Sequence, residues 1–250
     1  MKNNKSLGQH WLKDRFILDE IAASAACDGV SKCLEIGPGL GTLTSSLLRV
    51  FDKVTAVEFD ERLANNLPKS FPGKNLEVIN EDILQFDLKK LGTDYVAAGN
   101  IPYYITSPII SKLLDAENKP KKIVLLIQKE VADRILANVG KHTVLSLSVQ
   151  AKANVSPGVL VTKEYFTPPP KVDSATIILE PYEKPLVSDE VLDFIKIGFS
   201  SPRKKLAHNL PVDKTELISI LESLGISPDA RPADLSLEDW DKLVAKIKHK

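Results

Sequence analysis

The chain has 250 residues, 43% of them hydrophobic, enough for one large core or for one core with a small appended domain, which excludes a disordered polypeptide. Its 33 basic and 33 acidic side chains balance, so bulk charge points to no polyanionic partner. Charge is clustered locally: Lys2, Lys5, Lys13 and Arg15 face Asp14 alone in residues 1–15, and Arg203, Lys204 and Lys205 stand in 198–210 without an acid. Taken singly, each run also reads as a solvated face.

The start, MKNNKSLGQH, lacks the apolar run of a secretory signal, which together with only two cysteines suits a reduced, cytoplasmic compartment. Cys27 and Cys33 form no Cys-x-x-Cys, and His10, His142, His208 and His249 are scattered, so no metal site is expected. No apolar stretch approaches the roughly 20 residues that span a bilayer.

From about residue 30 to 130, short apolar runs alternate with longer amphipathic segments. The runs are Cys33 to Ile36, Val54 to Val57, Leu76 to Ile79, Tyr95 to Ala98 and Ile123 to Ile127. Strand followed by helix, repeated, predicts an α/β fold with a parallel sheet covered on both faces. Helices are expected over 129–138 and 143–152, then β-prone runs at Val159 to Thr162 and Ala175 to Leu179. Between these, Phe166-Thr167-Pro168-Pro169-Pro170 predicts a stiff loop at the sheet edge, because three prolines cannot continue a central strand. Beyond Pro185 the pattern is short helices with breaks, so a boundary falls near residue 183.

The first strand runs into Glu35-Ile36-Gly37-Pro38-Gly39-Leu40-Gly41-Thr42, a glycine-rich turn opening a helix, where backbone can approach a ligand. An acid about 20 residues on, Glu58, fits a nicotinamide or flavin fingerprint, but threonine holds the place of the third glycine. Glu58 ends the second strand and Asp82 follows the third, both at the carboxyl edge where open α/β sheets bind ligands. One carboxylate can accept two ribose hydroxyls and the other an adenine amine. Either could instead be a helix cap or a solvated turn residue.

Gly8-Gln9-His10-Trp11-Leu12, EIGPGLGTLT at 35–44, Glu58, Glu81-Asp82, GNIPYYITSP at 99–108, QKEVA at 128–132 and FTPPPKVDSA at 166–175 occur in order. In that order they resemble the ribosomal RNA adenine N6,N6-dimethyltransferases, and Arg203-Lys204-Lys205-Leu206 with Asn209-Leu210 resembles that family's basic segment. The resemblance implies a Rossmann-like class I methyltransferase sheet, mostly parallel with the last strand antiparallel, over residues 1–183. A small all-α domain for RNA and ribosome recognition would occupy 184–250. It further implies S-adenosyl-L-methionine as cofactor and no metal. The implied reaction is dimethylation of two adjacent adenosines near the 3′ end of 16S rRNA, by a monomer acting on a small-subunit assembly intermediate. Methylation of 23S rRNA, as in macrolide resistance, is the alternative.

By the same resemblance, His10 and Leu12 close over the cofactor, and Gly37, Glu58, Asp82 and Asn100 complete its contacts. Asn100, through its side-chain oxygen, and the Ile101 carbonyl would orient the adenine amine, with Pro102 holding Ile101 extended. Tyr103 would offer one face to the base and Phe166 the other. Arg203, Lys204 and Lys205 would bind phosphates. Tyr104 reads as structural, since its neighbour fills the stacking role, and Trp11 as a core or lid residue. Two positions depart from the pattern: Pro202 precedes the basic run, and His10 stands where asparagine is usual. Two readings from other classes stay open, an NAD-dependent oxidoreductase and a nucleic-acid-binding relative without turnover. The missing third glycine and the Asn-x-Pro-Tyr segment weigh against the first, and the intact Asn100, Pro102 and Tyr103 set against the second.

Overall fold

A computed structural model describes residues 10–248. Lys2, Lys5, Gly8 and Gln9, which figure in the sequence reading, lie outside the described residues. The first elements are β1 (Trp11–Leu12) and α1 (Arg15–Ala25). Asp14 starts that helix by accepting the Ile17 amide at 3.0 Å, and Leu18, Ile21, Ala22 and Ala25 recur at helical spacing on its buried face.

Strands and helices then alternate as β2 (Lys32–Ile36), α2 (Thr42–Val50), β3 (Lys53–Glu58), α3 (Glu61–Asn66), β4 (Leu76–Asn80), β5 (Tyr95–Asn100), α4 (Thr106–Leu114) and β6 (Ile123–Gln128). All five strands pair in parallel, in the order β4-β3-β2-β5-β6. The runs Tyr95 to Ala98 and Ile123 to Ile127 are fully buried, as strands covered on both faces must be. The order reverses between β2 and β5, and an open sheet of this kind leaves its ligand crevice there, at the carboxyl ends.

Next come α5 (Lys129–Ile135), α6 (Val144–Gln150), β7 (Ala153–Val161), β8 (Phe166–Thr167) and β9 (Ser174–Pro181). Strand β9 runs antiparallel to β6, with Ile177 opposite Leu125, and β7 closes the edge. The mostly parallel sheet with an antiparallel last strand is the fold expected. β7 starts earlier than the expected run Val159 to Thr162 and takes in Ser156-Pro157-Gly158. On an edge strand the missing proline N–H is tolerated, and a side chain at Gly158 would collide with Thr176, whose hydroxyl accepts the Val159 amide at 2.5 Å. β8 also departs from expectation: Phe166 and Thr167 leave the main sheet and pair antiparallel with Leu12 and Trp11.

The chain divides into two compact units. The first holds the described residues through Ala132 together with Asn154–Pro181; the second holds Asp133–Ala153 and the chain from Tyr182 on. A single cut near 183 therefore misses one feature: α6 belongs with the helical tail. Leu147 and Ala151 pack in one core with Leu192, Ile195, Leu217, Leu221 and Trp240. Those come from α7 (Asp189–Gly198), α8 (Lys214–Ser223) and α9 (Leu237–Lys248). Burying each such aliphatic side chain stabilises by about 1.5–3 kcal/mol, so the partner available decides which unit a helix joins.

Candidate active site

In the first unit the carboxyl ends of β2, β3 and β5 surround a cavity of about 200 Å³. The glycine turn forms one wall. Gly39 has φ +57°, and a side chain there would enter the indole of Trp11, so glycine is needed both for the turn and for the close approach. Trp11 thus sits on the turn, as a lid residue would.

Glu58 reaches back under the same turn. Its Oε2 accepts the Gly39 amide at 2.9 Å and its Oε1 the Asp60 amide at 2.8 Å. Burial raises its pKa above the ordinary value of 4.5, the two amides oppose the shift, and the charge of Asp60 adds to it. A carboxylate has about four lone-pair sites, so two remain for hydroxyl donors. Asp82 also lines the cavity, and its Oδ1 accepts the Leu84 amide at 2.9 Å, so it serves as a turn residue as well.

Glu35, two residues before Gly37, was missed as a site residue. It is 1% exposed, lines the cavity, and neither carboxylate oxygen has a hydrogen-bond partner. Burial pushes its pKa up to about 8; the nearby Thr44, outside hydrogen-bonding geometry, offsets part of the shift, and Glu58 adds to it. One signal was present: an acid inside the otherwise apolar run Cys33-Leu34-Glu35-Ile36.

At the end of β5, the Asn100 Nδ2 donates to the backbone carbonyl of His10 at 3.2 Å. With the nitrogen committed, the side-chain oxygen is left as an acceptor at the cavity. Pro102, at φ −59° and ψ 135°, carries the chain into a short 3-10 turn, Tyr103–Ile105. The Tyr103 hydroxyl lies 2.9 Å from the Ser174 Oγ, and burial raises its pKa, a shift that the Ser174 bond partly opposes. The ring of His10 lies within 19° of parallel to that of Tyr103, centroids 6.4 Å apart. Its Nδ1 is 2.8 Å from the Pro168 carbonyl oxygen and so carries the proton.

Of the residues expected at the site, His10, Gly37, Glu58, Asp82, Asn100, Pro102 and Tyr103 line one cavity. Leu12 and Phe166 do not. Both are buried, at 1% and 3% exposure, in the core beneath, with Leu18, Leu43, Leu47 and Val161. Phe166 therefore offers no face to a base here: leaving the core would cost about 1.5–3 kcal/mol, as much as the roughly 1–3 kcal/mol a stack returns. Tyr104, expected to be structural, is instead 66% exposed at the cavity.

In the second unit, Arg203 and Lys204 are exposed, on a turn rather than a helix. The Lys204 amide donates to the Ser201 carbonyl at 2.9 Å, which puts Pro202 second in a four-residue turn, a position its fixed φ suits. Asn209 secures the turn, its Nδ2 donating to the Gly198 and Ser201 carbonyls at 2.6 and 3.0 Å. Lys205 is already paired, its Nζ 2.5 Å from Asp229 Oδ1. Among the described residues no group of His, Cys, Asp and Glu side chains is placed to hold a metal ion, and no helix is long and apolar enough to cross a membrane.

The sequence profile of the ribosomal RNA adenine dimethylases matches residues 1–249. The chain belongs to that family. It is 39% identical to the ribosomal RNA small subunit methyltransferase A of Dehalococcoides mccartyi, over 97% of this chain and 88% of that protein. With its namesake from a Nostoc species identity is 40%, over 97% of both. Among solved structures, a dimethyladenosine transferase from Plasmodium falciparum is 32% identical with a TM-score of 0.82, over 95% of this chain and 97% of that one. The 23S rRNA methyltransferase ErmE is 28% identical with a TM-score of 0.79, over 94% and 98%. As a member of this family the protein is a ribosomal RNA adenine dimethyltransferase, and the cavity at the β2, β3 and β5 strand ends, in the crevice of the sheet, is its candidate active site.

Proposed function

We propose that the protein uses S-adenosylmethionine to dimethylate N6 of two adjacent adenosines near the 3′ end of 16S rRNA, acting in the cytoplasm as a monomer on an assembly intermediate of the small subunit. The observation that carries this reading is the Asn100 carboxamide, whose nitrogen is held by His10 so that its oxygen is free to accept from an exocyclic amine beside the ring of Tyr103. The adenine amine is a weak nucleophile because its lone pair is delocalised into the ring. Acceptors aimed at its hydrogens favour the tetrahedral form and orient it, and orientation alone can be worth about 7–11 kcal/mol in the best cases.

The cavity suits the cofactor. A cationic ligand would draw out the charged form of the buried, unpartnered Glu35 carboxyl, whose pKa burial otherwise raises to about 8, and the remaining lone pairs of Glu58 and Asp82 suit ribose hydroxyls and an adenine amine. Gly37, Glu58, Asp82 and Asn100, with His10, would hold it. S-adenosylmethionine supplies a methyl group on a sulfonium, which is electrophilic without a metal. Tyr103 is not the base: its hydroxyl is tied to Ser174 and its pKa is raised, so the methylated amine gives its proton to water.

The small-subunit target is supported by the relatives at 39% and 40% identity that carry that name, against 28% for ErmE. The Arg203 and Lys204 turn supports phosphate binding by the helical unit. Purified protein is expected to transfer tritiated methyl groups from S-adenosylmethionine to small-subunit particles that lack the modification. No incorporation there, with transfer to protein-free large-subunit RNA, would overturn the 16S assignment.

A further inference from the structure

We propose that Tyr104 is a stacking platform at the mouth of the pocket for the base next to the one being methylated. This role rests on the adenine-N6 reading above, in which the two target adenosines are adjacent, and adds a residue to it.

The exit from β5 sets two tyrosines side by side and uses them differently. Tyr103 is half-buried, with its hydroxyl 2.9 Å from the Ser174 Oγ. Tyr104 lines the same cavity yet is 66% exposed, and among the described residues its hydroxyl has no hydrogen-bond partner and its ring no aromatic partner. The 3-10 turn over Tyr103–Ile105 accounts for the divergence. Successive side chains of such a turn stand about 120° apart round its axis, so a Tyr103 directed at Ser174 leaves Tyr104 directed away from it, at the rim. An aromatic ring stabilises a fold by being buried, and this one is not; what it offers is a flat face beside the cavity.

The face stands on a braced support. The Ile105 amide donates to the Pro102 carbonyl at 3.3 Å and the Thr106 hydroxyl to the Tyr103 carbonyl at 3.2 Å, so two hydrogen bonds span Tyr104. Pro102 fixes the start of the turn, and α4 takes up the chain at the buried Thr106. A ring on a backbone held in this way loses little freedom when a base settles on it. The reaction supplies the base. Extruding one adenine into the cavity strips its neighbour of a stacking partner on one side. That neighbour stays joined to the flipped nucleotide by a single phosphodiester linkage, which keeps it at the mouth where Tyr104 stands. The phenol ring there replaces the lost stack, and a second adenine, as a purine, has the larger face to lay on it.

The test uses the full-length protein as wild type, Tyr104→Ala and Tyr104→Phe, assayed on unmodified small-subunit particles. Tyr104→Ala is expected to lower kcat/KM for the particles about tenfold, within the roughly 5- to 150-fold that a base–aromatic stack represents, while cofactor Kd stays within about twofold. Tyr104→Phe, which keeps the face and drops the hydroxyl, is expected to stay within about threefold of wild type. Particles carrying uridine in place of one of the two adenosines give a readout that a merely structural role would not move. Methylation of the remaining adenosine should fall several-fold more for wild type than for Tyr104→Ala, because only wild type has the purine stack to lose. Equal falls on the uridine particles, equal losses for phenylalanine and alanine, or a rise in cofactor Kd that accounts for the whole loss would overturn the platform. If wild type itself fails to methylate the unmodified particles, the N6 reading falls; if wild type is active and Tyr104→Ala matches it, only the platform falls.

Discussion

The strand-end cavity of the first unit and the Ser201–Lys204 turn of the second hold their polar groups in opposite ways. In the cavity, Glu58 is tied to two backbone amides, Asn100 to a carbonyl, and Glu35 is buried with no partner at all. On the turn, Arg203 and Lys204 stand in water and only Lys205 is paired. The cavity groups are desolvated or committed before any ligand arrives, so each substitution there should act steeply and on one step. The cations on the turn are screened, so each should contribute a modest, salt-dependent share.

Glu35→Gln sharpens the contrast most. Folding raises the Glu35 pKa from 4.5 to about 8, so between those values the native state keeps a proton that the unfolded chain has lost. Stability conferred by this group therefore falls as pH rises through that window, by up to about 1.4 kcal/mol per unit. Glutamine removes the slope, and denaturant unfolding should show the variant gaining on wild type by a few kcal/mol from pH 5 to pH 8, then holding level. A constant difference across that range would mean that Glu35 is not buried as a lone carboxyl.

Asn100→Ala comes next. Single-turnover rates should fall about 10²-fold or more, the scale of a misplaced reactant, while equilibrium binding keeps cofactor Kd within roughly tenfold. Unchanged turnover would mean that another group orients the amine.

The smallest effects belong to the turn. Arg203→Ala and Lys204→Ala should each reduce the slope of log affinity against log salt by about 1, without changing turnover at saturating RNA. Lys205→Ala should move the slope less, because its ammonium is already held by Asp229. Equal slopes for all three variants and wild type would break the comparison.

Much of the first unit was legible because its strands are buried on both faces and so are written as unbroken apolar runs, and because glycines and acids mark the strand ends. Seven of the nine residues expected to bind cofactor or adenine do line one cavity. What escaped was set by neighbours distant in sequence. Ser156-Pro157-Gly158 lies outside the expected run Val159 to Thr162, and it is an edge position and the approach of Thr176 that let it be strand. Pro202 looks like a fault in a helix until the turn that uses it is seen. Phe166 looks like an exposed aromatic on a stiff loop until β1 pairs with it and draws it into the core.

The sequence by itself determined the alternating α/β plan, the glycine turn after β2 and the Asn100 to Tyr103 exit from β5, since these depend on local periodicity and on residues adjacent in the chain. Only the tertiary structure decided that α6 joins the helical unit, that Glu35 is left without a partner, and that His10 rather than Phe166 lies beside Tyr103. Each of those outcomes turns on which side chain wins a buried position among competitors far apart in the chain, and that contest is settled by packing in three dimensions.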